Sequence, residues 1–404
     1  MSTTAVRSPA KFDCPDAALA ALVERLTPVG REREALSACT GRILAEPLIA
    51  DRPSPPCDVS AMDGYAVRLA DLSATSVPVA GEAPIGQPPL TLPLGSALRI
   101  LTGSPLPRGA EAVVPREVVD EGPEVIRPRD PQAIVAGQHI RRAGENIAVG
   151  GVVLEAGRTL TPACVSAAAA FGASHLWLQK KLRVAVIVTG DELIHEARGP
   201  QPWELRDSNG PALASMIGAF GWAELLGVRQ VVDDPDQLCR VIDEVLSNCD
   251  ALLLTGGVSM GVHDHVPDTV RSCGAEVVFH RLPIRPGKPV LGAVGREGQV
   301  IFGLPGNPVS ALVTARRLAI PALLTKAGGR PSPPAEVRLG NPDDQSLNLH
   351  WFRLVELVAP GWATLIENRG SGDLVAAARN DGFVEQLPGE DSRGPLAYFP
   401  WGAA

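Results

Sequence analysis

The chain has 404 residues, 45% apolar and 20% charged, with 38 prolines, 41 glycines and a formal net charge of −8. That is globular composition at a length suited to roughly two to four domains, and it excludes a disordered chain. A negative charge without a basic stripe argues against a nucleic-acid partner, and no apolar run reaches the ~18–20 residues that span a bilayer.

The first residues, MSTTAVRSPAKFD, lack the apolar core of a secretory signal. Cys14, Cys39, Cys57, Cys164, Cys239, Cys249 and Cys273 are dispersed with no Cys-x-x-Cys, which fits buried reduced thiols better than zinc or disulfides. The expectation is a cytoplasmic protein.

In chain order, apolar residues recur at helical spacing from Pro15 to Leu26, with Asp16 available as a cap, and a second short helix is expected from Glu32 to Cys39. Pro53, Pro55 and Pro56 then disfavour helix, and SAMDGYAVR follows at residues 60–68. Residues 65–140 hold short apolar runs broken by glycine and proline, the rhythm of a small all-β domain. Turns and brief strands are expected from Gly137 to Thr161, then a compact helix capped by Gly172.

From Leu182 to about Lys326 strands and helices alternate: LRVAVIVTG, SNGPALASMIGAFG, WAELLGVRQVV, PDQLCRVIDEVLSN, DALLLTGG, DHVPDTVRSCG, EVVFHRL, KPVLGAV, QVIFGLPG and NPVSALVTARRLAIPALLTKAG. This spacing predicts a doubly wound, mostly parallel α/β sheet, with Ser208 or Asn209 and then Asn307 capping two of the helices. After the proline-rich RPSPPAE, residues 336–404 read as a small β domain. The fold class is multidomain α/β plus β.

Two strands end in Thr-Gly, and GLPGNPVS adds a third glycine-bearing loop on the same sheet edge. Open α/β sheets bind ligands there, because glycines let the backbone approach an anion and helix N-termini offer free N–H groups. The candidate ligand-binding residues are Thr189, Gly190, Asp191, Ser208, Asn209, Thr255, Gly256, Gly257, Ser259, Gly261, Pro305, Gly306, Asn307 and Pro308. Asp191, Glu192, Asp233, Asp234 and Asp264 share that edge, and carboxylates beside a phosphate site suggest Mg²⁺, although Asp234 and Asp264 also suit helix capping. Arg285 and Lys288 in RPGKP offer charge for an oxyanion or form a solvated basic turn. In SAMDGYAVR, Gly64 suggests an unusual backbone conformation and Asp63 either a site residue or a turn that bonds its own backbone. Thr102 and Ser104 in ILTGSPLP are candidate oxyanion donors, whereas His263 and His265 lack a third metal ligand. No nucleophile spacing for covalent catalysis stands out.

Taken together, PPCDVSAMDGYAVR, RILTGSPLP, IRRAGENI, VIVTGDEL, DSNGPALASMI, LLLTGGVSMGVHDHV, RPGKPV, GLPGNPVSALV and GSGDLVAAARNDGFVEQ, unbroken in order, resemble the molybdopterin molybdenumtransferases, relatives of the C-terminal part of gephyrin. The resemblance implies an elongated homodimer of four-domain subunits. These are a linker and dimerisation domain (15–52 and 141–180), a small β domain (53–140), the α/β domain (181–328) and a C-terminal β domain (334–404). It implies that adenylylated molybdopterin and molybdate give molybdenum cofactor and AMP with Mg²⁺, held by Glu192 and Asp264. Asp63 and Thr102 would lean over the partner subunit's α/β site, where Glu192, Asp233 or Asp234, and Asp264 act. Arg285 and Lys288, Arg141 and Ser371 match basic or polar family elements, and transfer of the product to molybdoenzyme partners follows. One departure is Asn146, where the family usually carries Asp; it keeps hydrogen bonding but drops a charge.

Three other readings share parts of the pattern. The adenylyltransferase of the preceding step has the α/β domain but nothing like SAMDGYAVR. A non-catalytic molybdopterin-binding scaffold would not need every site motif intact. A tungsten-specific relative would look the same.

Overall fold

The computed structural model describes residues 11–259 and 265–402, which leaves Gly261, His263 and Asp264 outside the described residues. Two compact units emerge. One comprises the chain up to Glu46, Ala156–Val165 and Ser174–Ala404, the other Pro47–Glu155 and Ser166–Ala173. Among the described residues no helix is long and apolar enough to cross a membrane.

The larger unit is built on six strands: β1 (Leu182–Thr189), β2 (Ala223–Val231), β3 (Ala251–Thr255), β4 (Glu276–His280), β5 (Leu291–Val294) and β6 (Val300–Leu304). Their order is β2-β1-β3-β6-β5-β4. The first four run parallel, as expected, but β5 is antiparallel to both β6 and β4, so the sheet is mixed. The turn over residues 295–299, closed by a bond from Gly295 N–H to the Gln299 carbonyl, is too short for a crossover and enforces a hairpin.

Helices α1 (Asn209–Gly218), α2 (Pro235–Leu246), α3 (Val266–Ser272) and α4 (Pro308–Thr314) cover this sheet. Strand β1 explains why they lie on both faces. Val184, Val186 and Val188 pack with Leu213 and Ile217 of α1, while Ala185 and Ile187 pack with Leu238 and Ile242 of α2. The last helix is not continuous: α4 passes through a π turn, Ala315–Ala319, into Ile320–Lys326. Pro321 has no N–H to return to the preceding turn, which favours that wider register.

Two expectations near the N-terminus fail. Helix Pro15–Val23 is capped by Cys14, whose sulfur accepts from Ala17 N–H at 3.4 Å. Asp16 turns away and pairs with Arg317 at 2.6 Å. The helix expected over residues 32–39 is the strand Arg31–Ala35, antiparallel to His175–Gln179, followed by a short 3₁₀ turn. Pairing and the Arg31 guanidinium over the Trp177 ring, 4.9 Å from its centre, override the helical preference of Glu, Arg and Ala.

At the C-terminus, strand His350–Ala359 pairs with both Trp362–Leu365 and Gly382–Gln386, closing a small barrel completed by Ala335–Leu339 and Leu396–Pro400. The two-residue strand Ile284–Arg285 joins its edge, parallel to His350–Trp351. Buried Glu385 accepts from Arg317 at 2.7 Å and pairs with His350 Nδ1 at 2.7 Å, which links this barrel to the helical layer.

The second unit holds a six-stranded β-sheet of short strands. They run in the order Ala112–Pro115, Gly64–Val67, Ala97–Ile100, Val77–Glu82, Val125–Pro128, Val119–Glu121. Gly64 has no positive φ; it is required because a Cβ would run into the Val114 carbonyl across the strand pair.

Candidate active site

The carboxyl ends of β1, β3 and β6 open into a cleft of about 800 Å³. Thr189, Gly190, Glu192, Ser208, Asn209, Asp233, Gly256, Gly257, Ser259, Pro305, Gly306, Asn307 and Pro308 line it, so most of the residues chosen from the sequence converge there. Gly256 has φ +94°, and a Cβ would stand 2.6 Å from Thr189 Oγ1 and closer still to its carbonyl. Only glycine lets the first two loops approach this closely.

Buried Asn209 joins the second and third loops. Its amide donates to Thr255 Oγ1 and to the Gly306 carbonyl, both at 2.8 Å, while the Thr255 hydroxyl donates to the Pro305 carbonyl at 3.1 Å. Neither Ser208 nor Asn209 caps α1 through its side chain. Asp207 does, accepting from Gly210 N–H at 3.0 Å. Asn307 occupies the N-cap position of α4 without a side-chain capping bond.

The carboxylates separate by position. Glu192 and Asp233 line the cleft, whereas Asp234 accepts from Gln237 N–H at 2.6 Å as the cap of α2. Asp191 is not among the lining residues; its Oδ1 accepts from Asp233 N–H at 3.0 Å. Burial, then the negative charges of Asp191 and Glu192, raise the pKa of Asp233 above the usual carboxylate value.

The basic segment meets the cleft differently from expectation. Pro289 lines it, while the Arg285 guanidinium lies over the Trp351 ring, 5.6 Å from the centre, and the Lys288 carbonyl accepts from Leu282 N–H at 3.0 Å. The Ser371 carbonyl accepts from Val309 N–H at 3.0 Å in the first turn of α4, bringing Gly372 and Leu374 of the C-terminal segment to the rim.

Leu193, Leu205, Arg206, Asp207, Val258, Pro289, Gly372 and Leu374 also line the cleft, although no sequence pattern marks most of them. Leu205–Arg206 reaches the cleft by a short parallel pairing with Leu193–Ile194, which no periodicity announces. Asp207 was findable, since an Asp three residues before a helical N–H is a capping signal.

In the second unit, Thr102 gives both its N–H and its hydroxyl to Asp63, so Asp63 does not bond its own turn. Ser104 is fully buried and its hydroxyl has no partner among the described residues. Arg141 donates to Glu145 and, at 2.8 Å, to the Asn146 side-chain oxygen. The Asn146 amide in turn donates to Ser54 Oγ at 3.2 Å, a bond that an aspartate there would lack.

A second hollow of about 920 Å³ lies at the amino ends of β1, β2 and β3. Several of its opposite charges are matched in pairs, Arg183 with Asp250 at 2.9 Å and Arg42 with Glu32 at 2.5 Å. It lacks the three glycine loops.

Glycine loops at the carboxyl ends of parallel strands define an α/β protein that takes a small ligand at that edge. Comparisons with known proteins narrow the class. A family model for the MoeA N-terminal region (domain I and II) matches residues 15–172, and one for a probable molybdopterin binding domain matches residues 185–325. The chain is 38% identical to the molybdopterin molybdenumtransferase of Synechococcus elongatus over 74% of this chain and 76% of that one. It is 38% identical to molybdopterin molybdenumtransferase 2 of Mycobacterium tuberculosis over 74% of this chain and 75% of that one. A crystal structure of the molybdopterin biosynthesis MoeA protein from Pyrococcus horikoshii OT3 aligns with a TM-score of 0.78 at 26% identity, covering 96% of this chain and 99% of that one. The chain belongs to the molybdopterin molybdenumtransferases, enzymes of molybdenum-cofactor biosynthesis.

Proposed function

We propose that the protein joins molybdate to adenylylated molybdopterin, giving molybdenum cofactor and AMP, with Mg²⁺ as the accompanying cation. The observation that carries this reading is the convergence of three glycine loops with Glu192 and Asp233 on one cleft. Backbone N–H groups at such loops suit the phosphates of the nucleotide half.

The residues present fit a hard divalent cation. Glu192 and Asp233 offer oxygen donors, and burial, then the nearby carboxylates of Asp191 and Glu192, raise the proton affinity of Asp233, a strain that a bound cation would relieve. Glu192 and Asp233 would hold Mg²⁺, with Asp264 as a further ligand by its family motif. When bound, it supplies charge neutralisation at the phosphoanhydride. In the reaction the dithiolene sulfurs would bind molybdenum as molybdate oxygen leaves as water, and water would cleave the phosphoanhydride, so that AMP departs with its own phosphate while the pterin keeps its phosphate. The chain's part is to position both substrates, with Arg285, Lys288, Arg141 and Ser371 as the anion-holding set.

In the same reading the protein is a homodimer of four-domain subunits. Asp63 and Thr102 of one subunit complete the cleft of the other, and the product passes to molybdoenzymes. The test is incubation with adenylylated molybdopterin, Mg²⁺ and either molybdate or tungstate. Molybdate-dependent AMP release is expected. AMP release indifferent to the metal oxyanion, or pyrophosphate release from ATP and free molybdopterin, would overturn the assignment.

A further inference from the structure

Outside the cleft, three donors from two helices converge on the side of the α/β domain. Cys239 and Asp243 stand four residues apart on α2 and therefore share one face. Cys273, at the C-cap of α3, packs against that face with its sulfur 3.2 Å from the Cys239 sulfur. The two sulfurs and an Asp243 carboxylate oxygen all lie within 4.8 Å of one another. Cys273 is buried, Cys239 is half-buried and Asp243 is exposed, so the cluster has a closed floor and an open mouth.

We propose that Cys239, Asp243 and Cys273 form a binding site for a borderline-soft divalent cation of the zinc type, with water as fourth ligand. Two sulfurs with one carboxylate suit Zn²⁺ or Cd²⁺ and do not suit Mg²⁺, which requires oxygen ligands. Bound to one ion at about 2.3 Å each, two sulfurs at a tetrahedral angle lie about 3.8 Å apart. The half-buried Cys239 reaches that spacing by a movement of about 0.6 Å on its open side. A disulfide would use the same two sulfurs but gives Asp243 no part, whereas a bound ion uses all three groups.

Location gives the site its consequence. The first residue of α3, Val266, donates its N–H to the Gly257 carbonyl at 3.1 Å, so an ion tying α2 to the far end of α3 bears on the loop that lines the cleft. This inference does not depend on the reaction assigned to the cleft.

The test uses the full chain, untagged, reduced and stripped of metal, titrated with Cd²⁺ in excess Mg²⁺. One Cd²⁺ per chain is expected, with an ultraviolet thiolate-to-metal charge-transfer band that Zn²⁺ displaces. Cys239→Ser should abolish the band. Asp243→Asn, at an exposed position, should weaken binding more than about tenfold while the melting temperature stays that of the wild type. The proposal is overturned if the wild type shows no band, if Cys239→Ser leaves it unchanged, or if Asp243→Asn binds as tightly as wild type. A Cys239–Cys273 disulfide that forms in the presence of the metal would overturn it equally.

Discussion

Asp63 accepts two hydrogen bonds from Thr102, one from the backbone N–H at 2.7 Å and one from the hydroxyl at 2.8 Å. The backbone bond first, then the hydroxyl, hold the Asp63 carboxyl below the usual carboxylate range. Asp63 is therefore an anion at neutral pH, suited to electrostatics or positioning and not to donating a proton. Its contribution to folding is present above the ordinary carboxylate pKa and fades as pH falls through the lower folded value. Thr102→Val removes one of the two bonds, so the acid limb of the activity profile should move to higher pH. An acid limb that superimposes on that of the wild type would separate this pair from the pH dependence. Asp63→Ala should abolish molybdenum insertion with little change in melting temperature, because the side chain is exposed.

Asn209→Leu should cost about 1–3 kcal/mol, read from the denaturant midpoint. The substitution leaves the Gly306 carbonyl unpaired and breaks the junction between the second and third loops. Ligand affinity should fall with stability. An unchanged midpoint would show that Asn209 does not join these loops in solution.

Asp233 behaves in the opposite sense to Asp63. Its folded pKa lies above the ordinary value, so its contribution to stability is greatest at low pH and is lost as pH rises through the folded pKa. Asp233→Asn should flatten that loss and raise the melting temperature near neutral pH when Mg²⁺ is absent. The same variant should lose much of the stabilisation that Mg²⁺ gives the wild type. A variant that gains as much from Mg²⁺ as the wild type would remove Asp233 from the cation site.

Arg317→Met should destabilise by about 3–5 kcal/mol, because it leaves the buried Glu385 carboxylate with His350 as its remaining charged partner among the described residues. Adding Glu385→Gln should restore most of the loss. If the double variant is as unstable as the single one, packing and not charge sets the value of this pair.

Subunit sharing has its own signature. Mixed by unfolding and refolding, the separately inactive Asp63→Ala and Glu192→Ala chains should recover about a quarter of wild-type activity, since each mixed dimer holds one intact site. No recovery, or a monomer by sedimentation, would count against a shared cleft.

Much of this molecule was legible because its central strands are buried on two faces. LRVAVIVTG and DALLLTGG can hardly be anything else, and their terminal glycines announced the cleft. What escaped is set by partners remote in sequence. Arg31–Ala35 is a strand because His175–Gln179 lies beside it, and Asp16 abandons its cap for Arg317. Arg206 reaches the cleft on a two-residue strand, and Cys239 meets Cys273 only after α2 and α3 pack. Local pattern carries no record of such meetings.

The parallel rung between Ile284–Arg285 and His350–Trp351 reaches further than its two residues suggest. A chain cut after Gly329 would keep all three glycine loops, yet Arg285 would lose the indole beneath it and its strand would lose its neighbour. The C-terminal barrel thus props the basic segment from outside the α/β sheet. Removing it should therefore loosen the segment from Arg285 to Pro289, which reaches the mouth of the cleft.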